Sequence, residues 1–147
     1  MRFETNKDLN RETKAIEFFV NSFNGSYEKL GKWDVDFKVR NSDGVDISFV
    51  EVKGRLRDIE DAFPLPIAIR KVMKLYEKRL NPLIIWSCND GIVYSLLKDL
   101  KGSIMYGGRI PRKGSYNDQE IMAYYELNDN NFKILKYEET NRTSQGV

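Results

Sequence analysis

Between residues 33 and 55 the chain alternates apolar and polar positions in two runs, WDVDFKV and DISFVEVKG, joined by Arg40-Asn41-Ser42-Asp43-Gly44-Val45. A period of two marks a strand with one buried face, and Asp-Gly between two such runs predicts a two-residue hairpin turn whose central residues accept positive φ. With Asp43 and Gly44 as the turn, Asp36 faces Glu51 and Asp34 faces Lys53. Opposed side chains of an antiparallel pair share a face, with Cβ atoms about 5 Å apart. The pattern therefore predicts Asp34, Asp36, Glu51 and Lys53 on one face of the hairpin and Val35, Phe37, Val50 and Val52 on the other.

Upstream, residues 7–24 repeat at helical spacing, with Ala15, Ile16, Phe19, Val20 and Phe23 on one side, Asp8 or Asn10 as a cap, and Asn24-Gly25 as the stop. At about 100° per residue Glu12 falls in the middle of that apolar face. A first-turn carboxylate is favoured by the helix dipole; packing of the helix on the sheet would equally direct it towards Asp36 and Glu51. Residues 26–30 suit a strand, with a turn at Gly31-Lys32. The acidic, proline-punctuated stretch from 58 to 66 suits a mobile flap or a solvated loop. Residues 67–80 predict a second helix with Ile69, Val72, Met73, Tyr76 and Leu80 towards the core. Leu83-Ile84-Ile85-Trp86 predicts a buried strand, followed after Asn89-Asp90-Gly91 by β-like sequence at 92–96. Residues 120–127 and 132–137 predict a second hairpin, and 138–147 a polar, frayed tail.

Composition narrows the chemistry. The 147 residues match one domain, 41% hydrophobic and 31% charged, as in soluble globular proteins. No apolar run is long enough to span a bilayer, and the first residues lack the apolar core of a secretory signal, so the expected location is cytoplasmic. One cysteine precludes an intramolecular disulfide, and the absence of histidine removes imidazole chemistry and zinc sites that depend on it. Two carboxylates facing each other call for a positive charge between them. A divalent cation held by oxygen alone answers that need, which points to Mg²⁺ with Mn²⁺ as a substitute. No glycine-rich phosphate loop precedes a helix, so no nucleotide cofactor is expected.

A net charge of +2 does not by itself announce a nucleic-acid binder. Basic residues nonetheless gather near the hairpin at Arg55 and Arg57, on the second helix at Lys71 and Lys74, and in the Gly-Gly-Arg-Ile-Pro-Arg-Lys-Gly loop at Arg109, Arg112 and Lys113. Tyr106 and Tyr116 flank that loop, where they could stack on bases.

The order helix, strand, hairpin, helix, strand, carrying Glu12, then Asp36, then Glu51-Val52-Lys53, resembles the PD-(D/E)XK nuclease superfamily across residues 7–86. Asp34 alternates onto the same expected face, but the register opposite Glu51 favours Asp36 as the motif aspartate; no proline precedes either. The resemblance implies an α/β fold, a restriction-endonuclease-like core with a central mixed sheet flanked by helices in the order αβββαβ, here with an added C-terminal β-hairpin. It implies one nuclease-like domain over residues 1–137. It implies further that Asp36, Glu51 and the Val52 carbonyl ligate Mg²⁺, with Glu12 completing the shell directly or through water. Lys53 would orient the attacking water or offset charge on the phosphoryl group. The implied activity is metal-dependent endonucleolytic hydrolysis of DNA. A homodimer would let single sites cut both strands. The same residues would serve an RNA nuclease, and a non-catalytic nucleic-acid-binding or assembly protein on this fold is the reading from a different class.

Overall fold

Apolar residues on both faces of one sheet require a cover on each, and the computed structural model, which describes residues 6–108 and 119–137, supplies two. The elements are α1 (Asn6–Asn21), β1 (Ser26–Lys29), β2 (Phe37–Arg40), β3 (Asp46–Gly54), β4 (Leu65–Ala68), α2 (Ile69–Tyr76), β5 (Leu83–Ser87), β6 (Gly91–Leu96), β7 (Ser103–Gly108), β8 (Gln119–Tyr125) and β9 (Lys133–Lys136). A six-stranded sheet runs in the order β1-β2-β3-β5-β6-β9. Its β3–β5 pair is parallel and the other pairs are antiparallel, so the sheet is mixed. The parallel crossover from β3 to β5 carries β4 and α2, consistent with the long connection that parallel strands need.

α1 covers one face, where Ala15, Ile16, Phe19 and Val20 pack with Phe37, Val39, Val50, Ile85 and Ile92. Its end is set by Asn24, in the left-handed region at φ 58, and by the Gly25 amide donating to the Val20 carbonyl at 2.8 Å. Because α1 already includes Asn6, Asp8 and Asn10 lie inside the helix and do not precede it as caps. On the other face a three-stranded sheet, β4-β8-β7, and Leu75 of α2 close a second core around Ile84, Trp86 and Val93.

The second core corrects several expectations. The stretch from 58 to 66 is no free flap: Ile59, Ala62 and Leu65 are buried, and Pro66 lies in β4, an edge strand where its missing N–H is tolerated. α2 is shorter than expected, and it turns Leu75 to the core while Met73 and Tyr76 face solvent. The two strands expected to form a C-terminal hairpin part company. β8 lies between β4 and β7 in the small sheet, whereas β9 joins β6 in the large one. Gly91 permits that junction, since a Cβ there would lie 2.3 Å from the Leu135 carbonyl oxygen. The 138–147 tail lies outside the described residues. Among the described residues no helix is long and apolar enough to cross a membrane.

Candidate functional site

The β2–β3 hairpin turns differently from its sequence reading, yet reaches the expected register. Asn41 and Val45 close the turn, with Asn41 N donating to Val45 O at 2.9 Å and Gly44 N to Asn41 O at 3.0 Å. Gly44 has φ 79 and the Asn41 carboxamide oxygen accepts from the amides of Asp43 and Val45, so three residues occupy the loop instead of two. A bulge then follows. Arg40 pairs with Asp46 but Val39 pairs with Ser48, leaving Ile47 as the extra residue. The two departures cancel, and Lys38–Phe49 and Phe37–Val50 fall in the register that brings Asp36 opposite Glu51.

Asp36 lies just before β2, where the strands stop pairing through their backbones. Its carbonyl accepts from Leu30 N on the β1 side at 3.0 Å, while its Oδ2 accepts from Val52 N on the β3 side at 2.8 Å. A side chain has replaced a ladder carbonyl, and β3 continues to Gly54 against β5. This divergence fixes the Asp36 carboxylate beside Glu51.

Glu51 is 3% exposed, and its Oε1 is buried without a hydrogen-bond partner among the described residues. It alternates with Val50 and Val52, and so points away from α1 towards α2, whose Lys71 Nζ stands 3.9 Å from Glu51 Oε2. Burial pushes the Glu51 carboxyl up to about 9, and repulsion and hydrogen bonding by Asp36 add to the shift; Lys71 opposes it, and Glu12 raises it least. An orphan acceptor deep in protein costs about 1–3 kcal/mol or more. A proton or a cation must answer it.

Glu12 is also buried, at 8% exposure, and its Oε1 accepts from Lys29 Nζ at 2.5 Å. Its charge reaches Glu51, but among the described residues no three carboxylates stand close enough together to hold an ion as they are. Lys53 lies two positions beyond Glu51 on β3 and is exposed.

Asp34 does not join this group. Its Oδ1 accepts from Val35 N at 2.7 Å and from Lys78, two residues past the end of α2, at 2.6 Å, which holds its carboxyl below the usual range. Val35 is buried in the core on the α2 side, whereas Phe37 is buried under α1. The strand alternation therefore cannot be extended backwards past Asp36, because β2 begins only at Phe37.

The basic residues divide. Arg55 is half-buried, and its guanidinium donates to the carbonyls of Ala62 at 2.9 Å and Pro64 at 3.5 Å, holding the chain between β3 and β4. Arg57 is exposed, with its backbone tied to Arg55 and Asn89. Lys71 and Lys74 are half-buried on α2 and are oriented to Glu51 and Asp34. Tyr106 is exposed, whereas Arg109, Arg112, Lys113 and Tyr116 lie outside the described residues. Lys29 and Lys78, the ammonium partners of Glu12 and Asp34, had no signal in the sequence, since their contacts join residues 17 and 44 positions apart. Cys88 is buried, which pushes its thiol up to about 12 and leaves it a poor nucleophile.

A carboxylate at a strand divergence, a buried glutamate opposite it and a lysine two residues on form the signature expected of one nuclease superfamily, and the family whose model matches residues 1–133 is described as phage putative PDDEXK endonuclease. The chain belongs to this family. No curated protein and no solved structure matches it. Membership places the chain in the PD-(D/E)XK superfamily, whose nucleases typically use divalent metals, and the mixed sheet with its two helices accords with a restriction-endonuclease-like fold. The residues fit such an ion. The facing groups are oxygen donors suited to a hard cation, and Glu51 Oε1 is an acceptor with no donor among the described residues.

Proposed function

We propose that the protein is a Mg²⁺-dependent DNA endonuclease in which Asp36 and Glu51 hold the metal, with the Val52 carbonyl and Glu12 as further oxygen donors. The observation that carries this reading is the buried Glu51 Oε1, without a partner among the described residues, set against the Asp36 carboxylate. When bound, the ion polarises a phosphoryl oxygen and makes water a competent nucleophile near neutral pH.

The chain's own residues do the rest. Val52 N fixes Asp36 from the opposite strand, so the donor pair is held before any ion arrives. Lys53, on the Glu51 side of β3, orients the water and offsets charge on the phosphoryl group. Lys71 screens Glu51 while the carboxylates are unmetallated, and Lys29 neutralises Glu12. Exposed Arg57 offers the phosphate backbone a charge beside the strand end.

Purified protein is to be incubated with plasmid, linear, single-stranded and branched DNA and with RNA, each with Mg²⁺, Mn²⁺ or EDTA. Metal-dependent cleavage of DNA is expected. Glu51→Ala loses both cleavage and metal binding, whereas Lys53→Ala loses cleavage and keeps the metal. Cleavage of RNA alone would change the substrate, and a protein that cuts nothing and binds no divalent ion is not this enzyme.

A further inference from the structure

The protein has two tryptophans in opposite situations. Trp86 is 0% exposed, with its indole N–H donated to the Pro66 carbonyl at 2.8 Å, while Trp33 is 75% exposed. A lone exposed apolar residue normally needs no explanation. Trp33 differs because the loop that carries it is pinned and because that loop begins and ends at the candidate site.

Lys29, which bonds Glu12, precedes the loop, and Asp36 ends it. Leu30 N donates to Asp36 O at 3.0 Å, Asp34 N to Gly31 O at 3.0 Å, and Asp34 is held by Lys78 at 2.6 Å. The residue between these fixings is therefore presented outwards by a braced backbone. Trp33 lies three positions before Asp36, a backbone reach of about 11 Å at most. Lys32 Nζ stands 5.2 Å from the centroid of the Trp33 ring, placing a positive charge suited to a phosphate beside the indole.

We infer that Trp33 is a stacking residue that takes an unstacked base within a few nucleotides of the phosphate to be cut, so that the substrate is a nucleic acid with unpaired bases at that point. This deepens the nuclease reading of Asp36 and Glu51 and rests on it. Bases inside an intact duplex have both faces occupied by their neighbours, so an indole gains a face only where the stack is open.

Because Trp86 is buried, emission from Trp33 reports on the contact in solution. Wild-type protein in EDTA, and the Lys53→Ala protein with Mg²⁺, are titrated with an oligothymidylate strand, a blunt duplex, and the same duplex carrying a single-stranded flap. Quenching is expected with the single strand and the flap and not with the blunt duplex. Trp33→Ala should bind the flap about 5- to 150-fold more weakly, the loss of one base–aromatic stack, with an unchanged melting temperature; Trp33→Phe should recover most of the affinity. Equal quenching by the blunt duplex, or a Trp33→Ala protein that binds the flap as wild type does, overturns the inference. Metal-dependent cleavage together with a silent Trp33 refutes the stacking role alone. Quenching by unpaired bases in a protein that cuts nothing supports the stacking role and refutes the enzyme.

Discussion

Glu51 concentrates the physical cost of the site in one side chain. Its carboxyl is raised to about 9, first by burial and then by Asp36, while in the unfolded chain it returns to an ordinary carboxylate. Between those values the folded protein binds more protons than the unfolded chain, so the metal-free protein loses stability as pH rises through that window. Glu51→Gln removes the titrating group and keeps the shape. In EDTA its melting temperature should exceed that of wild type at pH 8 by about 2–8 °C, taking one to two kcal/mol at about 2–4 °C each, and the difference should shrink towards the ordinary carboxylate range, where Glu51 of the unfolded chain takes up its proton as the folded one already has. Thermal melts across that pH range check the sign; a wild type that gains on Glu51→Gln as pH rises would contradict it.

At the scale of the element, the hairpin shows two local irregularities producing a regular result. The three-residue turn offsets the strands by one position and the bulge at Ile47 restores them, so Asp36 meets Glu51 as a simple two-residue turn would have arranged. The turn depends on Gly44, whose φ of 79 a side chain resists. Gly44→Ala should cost about 1–2 kcal/mol by chemical denaturation, and Gly44→Asn much less, because asparagine accepts the left-handed region. The α2 helix shows the converse. Its apolar positions were legible from spacing, yet Met73 and Tyr76 face solvent while Leu75 enters the core. Amphipathic spacing says that a helix has a side to bury but leaves the angle of that side to the neighbours, and here Lys71 on the helix and Lys78 just beyond its end are drawn towards Glu51 and Asp34.

Across the whole molecule the large sheet separates two cores, and the site lies where β2 and β3 diverge between them. On the proposed assignment a divalent ion there would bind the folded chain alone, and so should stabilise the protein by about 2.7 kcal/mol at a hundred times its dissociation constant. Differential scanning with Mn²⁺ should show that rise in wild type and its loss in Glu51→Gln and Asp36→Asn. The sequence by itself determined α1, the two strands of the hairpin and the absence of imidazole ligands, because each follows from local periodicity or composition; the facing of Asp36 and Glu51 came out as expected because the bulge at Ile47 offset a longer turn. Only the tertiary structure decided that Asp34 pairs with Lys78, that Arg55 holds backbone carbonyls, and that β8 and β9 enter different sheets. A run of apolar residues records that a strand must be covered, and it carries no label for which of two sheets will cover it. That choice depends on contacts between residues far apart in the chain, such as Gly91 admitting β9 or Trp86 bonding Pro66, and these exist only once the fold has closed.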